Sequence, residues 1–289
     1  MEIINVQTPR GIVLKGAMWG NNSMDTVVIM MSGICSNVFQ NELLPATGKK
    51  LEEKGIAFIA GHAMDAFSFI SYSNTITHKQ TTTGVVTDDF SIAYEDVDSY
   101  VNYAKEQGFK KIILAGHSLG SNKIINYLAN TPNDDIESFI ITAPIDLAHF
   151  FNILPEKEMY LREAQKFIDA GREHDILPFL FMGFSPMTAR TLMRYYTAEN
   201  LKNCPVISGD GETISLSKIK ISGSFIIGSK DSMTNGDATG FMEKINSYCK
   251  FKNENTITTI PDASHIFYGK HEEYANEILK CVEQRLCCV

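Results

Sequence analysis

The sequence predicts an α/β domain, with a mostly parallel central sheet flanked by helices and one inserted helix-rich segment. Three observations carry this reading. Short apolar runs alternate with helical spacing along most of the chain, a pattern that builds a parallel sheet with helices on both faces. One strand–helix joint carries Gly116-His117-Ser118-Leu119-Gly120. The alternation breaks between about Ile145 and Lys218 and then resumes. A chain of 289 residues suits one large α/β domain, or a domain with an insertion.

In chain order, strands near Ile3–Val6 and Ile12–Met18 should form an antiparallel edge. A buried strand is expected at Val27–Met31, a helix around Glu42–Lys54 and a strand at Ile56–Ala60. A long helix over Asp88–Gln107 would put Val97, Tyr100, Val101 and Ala104 on one face, with Gly108 stopping it. The apolar run Lys111–Ala115 reads as a buried parallel strand, Ser121–Leu128 has helical spacing, and Ser138–Thr142 is the next strand. Within the irregular stretch, Glu158–Ala170 and Ala189–Leu201 read as helices. Two further strand-like runs follow, Ser224–Gly228 and Thr256–Ile260. The expected division is therefore 1–144 as the first part of the core, 145–218 as the inserted segment and 219–289 as the rest of the core.

A G-x-S-x-G set between strand and helix has the form of a nucleophile elbow. Glycines on both sides of Ser118 leave room for tight backbone packing, and the following helix N-terminus favours developing negative charge. A serine hydroxyl is a poor nucleophile at neutral pH, so it needs a base and a group to orient that base. Asp231 follows the run Ser224–Gly228, and His265 follows Thr256–Ile260. Both stand on loops past the carboxyl ends of strands, where ligands bind in open parallel sheets. Asp146, also past a strand end, and Asp262, which could be a turn former, are the other candidates for the acid.

Through Gly-His-Ser-Leu-Gly, Gly-Ser-Lys-Asp and Ala-Ser-His, the chain resembles the lipase/esterase-like serine hydrolases of the α/β-hydrolase superfamily over nearly its whole length. The resemblance implies the α/β-hydrolase fold, with Ser118 as nucleophile, Asp231 as orienting acid and His265 as general base. It also implies an oxyanion hole made by the N–H groups of Leu119 and Ile34, with Cys35 the neighbouring candidate. Relatives often carry His-Gly where this chain has Ser32-Gly33. Superfamily members commonly insert a lid or cap at the position of 145–218. The apolar residues Phe179, Phe181, Met182 and Phe184, with Cys35, are the expected substrate contacts or, for some of them, packing between cap and core. Strand and helix packing of that run are both open.

Other polar residues have plainer expected roles. His117 reads as packing beside the elbow. His62 and Asp65 follow the Ile56–Ala60 strand and could line the pocket or lie solvated. His271 falls in no metal-ligand spacing.

Composition narrows the function further. A net charge of -8 argues against nucleic acid or an anionic membrane as partner, and no apolar run approaches the ~18 residues of a membrane span. The start of the chain lacks the basic and apolar pattern of a signal peptide. Of six cysteines, Cys281, Cys287 and Cys288 crowd together, without zinc or disulfide spacing, and Cys-Cys-Val is not a prenylation box because Leu286 precedes it. Reduced thiols fit a cytoplasmic enzyme. The expected function is hydrolysis of a carboxylic ester, or a thioester, on a small-molecule acyl substrate through an acyl-enzyme on Ser118, with no metal or organic cofactor. An acyltransferase using the same acyl-enzyme, and a non-catalytic ligand-binding protein of this fold, are the rival readings. The oligomeric state is not encoded in any recognisable motif.

Overall fold

The computed structural model describes residues 1–132, 134–209 and 214–287. Cys288, one of the three clustered C-terminal cysteines, lies outside the described residues, as does Val289. The chain runs β1 (Glu2–Gln7), β2 (Val13–Trp19), β3 (Thr26–Met31), α1 (Leu43–Glu52), β4 (Ala57–Gly61), β5 (Ile70–Ser73), β6 (Gln80–Thr83) and α2 (Ala93–Glu106). It continues through β7 (Lys111–His117), α3 (Leu119–Asn130) and β8 (Ile136–Thr142) into α4 (Leu147–Ile153), α5 (Lys157–Asp169), β9 (Ile176–Phe181), β10 (Ser185–Thr188), α6 (Ala189–Thr197) and α7 (Ile214–Lys218). It ends with β11 (Gly223–Gly228), α8 (Ala238–Ser247), β12 (Thr256–Ile260) and α9 (His271–Leu286).

Eight strands form the central sheet in the order β1-β2-β4-β3-β7-β8-β11-β12. From β4 to β12 every neighbour is parallel, whereas β2 runs antiparallel to both β1 and β4. The N-terminal hairpin therefore contributes one reversed strand, and β1 runs with the parallel set. The strands β3, β4 and β11 are buried along their whole length, as expected where helices cover both faces. One apolar cluster joins α2, α3 and α8 to the sheet through Val97, Tyr100, Ile124 and Phe241. Another joins α1 and α9 to it through Leu44, Leu51, Tyr274 and Ile278.

The helix expected from Asp88 starts later. Asp89 caps a 3₁₀ turn at Phe90–Ile92 by accepting from the Ser91 N–H, and α2 begins only at Ala93, because the local Asp side-chain bond competes with helix propagation. The hairpin β5–β6 has too few apolar residues to register in the hydrophobic pattern.

The segment between β8 and β11 contains a β-hairpin as well as helices. In β9 the residues Leu177, Phe179 and Phe181 alternate inward with exposed Ile176, Pro178 and Leu180, the period-2 pattern of a strand. Pro178 is tolerated because this sheet has only two strands and each is an edge. Met182 and Gly183 turn the hairpin with φ of 55° and 79°, and the Tyr160 hydroxyl accepts from the Met182 N–H at 3.1 Å. A third apolar cluster, including Phe151, Tyr160, Phe181, Leu192 and Tyr195, packs this segment internally and reaches Val85, Phe90 and Leu119 outside it.

Candidate active site

Ser118 stands between β7 and α3 with φ 56° and ψ −127°, a backbone conformation costing about 1–3 kcal/mol for a non-glycine residue. Close packing holds it there. A Cβ on Gly120 would lie 2.0 Å from the Met31 carbonyl oxygen, and one on Gly116 would lie 2.7 Å from the Gly120 backbone. Buried hydrogen bonds add to the clamp. Ser118 N–H donates to the Thr142 carbonyl at 3.0 Å. Ser121 Oγ lies 2.8 Å from the Gly116 carbonyl and 2.7 Å from that of Thr142, and it accepts from the Thr142 N–H at 3.1 Å. The elbow is thus stitched to β8, and neither Ser121 nor Thr142 stood out in the sequence.

The loops after β11 and β12 bring Asp231 and His265 to the same place. His265 Nδ1 lies 2.9 Å from Asp231 Oδ2, and His265 Nε2 lies 2.9 Å from Ser118 Oγ. Because the carboxylate only accepts, Nδ1 carries the proton, and Nε2 is left to accept from the serine hydroxyl. Asp231 is itself fixed, with Oδ1 accepting from the Met233 N–H at 2.9 Å.

His117 supports this arrangement from below. Its Nε2–H donates to the His265 carbonyl at 2.9 Å, and its ring lies 5.8 Å from that of Phe267. Burial, with a smaller contribution from His265, pushes the His117 imidazole down to about 4, so it is neutral at pH 7.

The loop after β3 faces the serine. A Cβ on Gly33 would come within 3.0 Å of Ser118 Cβ, so glycine permits this approach. Cys35 N–H donates to the Asp65 carbonyl at 2.8 Å. The Ile34 and Leu119 N–H groups have no protein acceptor among the described residues. Of the two candidates on this loop, Ile34 is therefore the one with a donor to offer.

These groups border a cavity of about 320 Å³. Ile34, Ser118, Leu119 and His265 form one side, and Leu147, Phe150, Phe151, Phe181, Met182, Phe184 and Tyr195 of the inserted segment form the other. Phe179 does not line it, because its ring stacks on Tyr160 at 5.1 Å. Cys35 borders an adjoining cleft, and burial raises its thiol pKa.

The remaining candidates are occupied elsewhere. Asp146 accepts from the N–H groups of His149, Ile207 and Ser208 at 2.7–3.1 Å, capping α4 and pinning a loop of the insertion. Asp262 is exposed and pairs with Lys230 at 2.6 Å. His62 accepts from the Val38 N–H at 2.9 Å, and burial pushes it down to about 4. His271 Nδ1 lies 3.1 Å from Glu42. Among the described residues, no group of His, Cys, Asp and Glu could hold a metal ion.

Asp65 and Lys123 form a fully buried ion pair, a feature that apolar periodicity gives no sign of. Burial lifts the Asp65 carboxyl, with Lys123 opposing. For Lys123 burial acts downward, but Asp65 and Asp88 together raise it. Tyr195 donates to Asp88 at 2.7 Å. This network links α3, the loop bearing Ile34 (through the Asp65 carbonyl) and α6 of the insertion. The only signal in the sequence is a lysine in the otherwise uncharged α3.

The sheet order, the strained serine at the end of β7 and the groups gathered around it define the α/β-hydrolase fold. The chain belongs to the family described as "Protein of unknown function (DUF1749)", which matches residues 55–286. No curated protein matches it by sequence. Among solved structures, it is similar to the α/β hydrolase GrgF from Penicillium sp. sh18, with TM-score 0.69 and 14% identity over 99% of both chains. It is also similar to Est1E from Butyrivibrio proteoclasticus, with TM-score 0.64 and 15% identity over 99% of this chain and 100% of that one. Against a monoacylglycerol lipase of Paleococcus ferrophilus the TM-score is 0.60, with 17% identity over 94% of this chain and 99% of that one. No helix among the described residues is long and apolar enough to cross a membrane.

Proposed function

We propose that the protein is a serine hydrolase that cleaves a carboxylic ester through an acyl-enzyme on Ser118. The observation that carries the reading is the pair of 2.9 Å contacts linking Ser118 Oγ to His265 and His265 to Asp231. Two unpaired backbone N–H groups beside the serine add to it. Ser118 Oγ attacks the acyl carbon while His265 Nε2 takes its proton, and Asp231 stabilises the resulting imidazolium. The N–H groups of Ile34 and Leu119 hold the oxyanion of the tetrahedral intermediate. Collapse expels the alcohol, which leaves with the proton from His265. Water, deprotonated by His265, then attacks the acyl-enzyme, releasing the carboxylic acid and restoring the serine.

The segment 145–218 acts in this reading as a cap, supplying apolar walls and no reacting group. The cavity suits an acyl group of modest size, since ligand pockets run from about 300 to 1,000 Å³. The words esterase and lipase in the titles of similar structures accord with ester cleavage. The free cysteines suit a reducing compartment, the cytoplasm in this reading.

A fluorophosphonate probe read by intact mass tests the mechanism. One adduct on the wild-type protein and none on Ser118→Ala is expected, together with turnover of short acyl esters. Equal labelling of the two proteins would sink the proposal. Adding alcohol acceptors and following the products separates hydrolysis from acyl transfer.

A further inference from the structure

We infer that the leaving group of the substrate is a neutral polyhydroxy alcohol, held in a cleft that sets several polar side chains in a largely apolar wall and opens off the apolar cavity beside His265; this rests on the ester-cleavage reading. The cleft has a volume of about 340 Å³. Ser36, Asn41 and Ile266 border both it and the cavity, so the two spaces adjoin. The expelled oxygen must meet His265 Nε2 to receive its proton. The cleft is built partly from the loop carrying His265, through Ile266 and Tyr268, and none of its wall comes from the inserted segment. The acyl chain then lies under the cap, and the alcohol lies in the cleft.

The cleft's chemistry selects the alcohol. Gln40 Oε1 accepts from Asn37 at 3.0 Å, which leaves the Nε2 hydrogens to donate. Glu42 Oε2 faces His271 Nδ1 at 3.1 Å, leaving a second carboxylate oxygen as acceptor. Tyr268 is 79% exposed, with its ring nearly perpendicular to that of His271 at 6.4 Å. Interleaved donors and acceptors beside an open aromatic face match a molecule with several hydroxyls and an apolar C–H face. No lysine or arginine lines either space, and Glu42 would repel a phosphate, so phosphate-bearing thiol carriers fit poorly. A quaternary ammonium group would have to compete with His271 for the same carboxylate.

Hexanoyl esters of ethanol, glycerol, methyl glucoside and choline, with hexanoyl-coenzyme A, test this at constant acyl group. We expect kcat/KM for the glycerol and glucoside esters to exceed that for the ethyl ester by about tenfold or more. Gln40→Ala and Tyr268→Ala should each cut that ratio at least about threefold. The ratio is internal to each protein, so a variant that folds poorly loses all rates together and leaves it unchanged. A wild-type ratio near one, a ratio that survives both variants, or a preference for the choline ester or the thioester overturns the inference. If Ser118 is labelled and the ethyl ester is cleaved without polyol preference, only the leaving-group assignment fails. If no ester is cleaved and Ser118 is unlabelled, the ester-cleavage reading fails, and this inference with it.

Discussion

The loops at the ends of β7, β11 and β12 and the segment inserted between β8 and β11 face each other across one cavity, but the residues they turn toward it are held by different forces. The strand-end loops are fixed by short polar contacts to buried strands. Ser118, Asp231 and His265 each have a hydrogen-bonded neighbour within 3 Å, and the backbone around the elbow packs too closely to admit a side chain at Gly116 or Gly120. In the inserted segment the residues facing the cavity are held by aromatic packing, while buried hydrogen bonds of Tyr195 and Asn203 tie the segment to the core behind them. Phe151 meets Tyr195 at 5.5 Å, and Tyr160 meets Phe181 at 5.1 Å. Hydrogen bonds are directional and hold reacting atoms at fixed distances, whereas apolar contacts tolerate repacking. In the proposed hydrolase the first region would therefore keep one chemistry while the second changes what it admits.

The largest expected effects lie in the strand-end loops. Ser118→Ala should lower kcat by roughly 10³-fold or more, and His265→Ala comparably, with the double variant little worse because the two act as a unit. Steady-state kinetics on the best ester measures this. Retention of a tenth of wild-type turnover by Ser118→Ala would erase the contrast between the regions.

Next comes a pair of aspartates, one from each region. Asp231→Asn should cost about 10²–10⁴-fold in kcat, since the orienting charge on His265 is lost. Asp146→Asn should leave kcat within a few-fold but lower stability by about 1–3 kcal/mol, because its buried oxygens serve backbone N–H groups. Kinetics and chemical denaturation on the two variants give the ranking. A reversed order would move the acid into the insertion.

The strand-end region should also carry an acid lability of its own. His117 titrates at about 4 when folded and near 6.5 when unfolded. Between those values the unfolded chain binds the extra proton, so stability falls as pH drops from about 6.5 to about 4, by roughly 3 kcal/mol in all. The inserted segment has no fully buried histidine among its described residues. His117→Gln should make the acid limb of a melting-temperature profile shallower over that window, with buried His62, also pushed down to about 4, supplying the slope that remains. An unchanged profile would show that His117 is not held neutral.

The smallest effects sharpen the inserted segment itself. Phe184, which is half exposed and lines the cavity, should on replacement by alanine shift the ranking of esters toward bulkier acyl groups by about 1–2 kcal/mol in relative kcat/KM, with little loss of stability. Phe179→Ala should lower stability, by about 3 kcal/mol at most given its partial burial, and leave the ranking alone. Thermal unfolding and the ester profile, measured on both variants, check the split.

Much of this contrast was legible in the sequence, for a physical reason. Backbone requirements leave strong local marks. A buried parallel strand is an uninterrupted apolar run, as in Thr26–Met31 and Gly223–Gly228, and an elbow needs glycine where a Cβ would strike neighbouring backbone. The sequence alone therefore determined the parallel sheet, the position of Ser118 at a strand–helix joint and the strand-end positions of Asp231 and His265. Asp231 was preferred to Asp146 only through the family resemblance, because both follow strands and which carboxylate meets His265 across 34 residues is a matter of tertiary structure. The sequence did not yield the hairpin of β9 and β10, since a short apolar run fits either period until its partner strand exists. The buried Lys123–Asp65 pair and the clamp of Ser121 on Thr142 were likewise decided by tertiary structure alone. Each joins polar residues far apart in the chain, and a polar group acquires its role only when burial removes water and leaves one partner within reach.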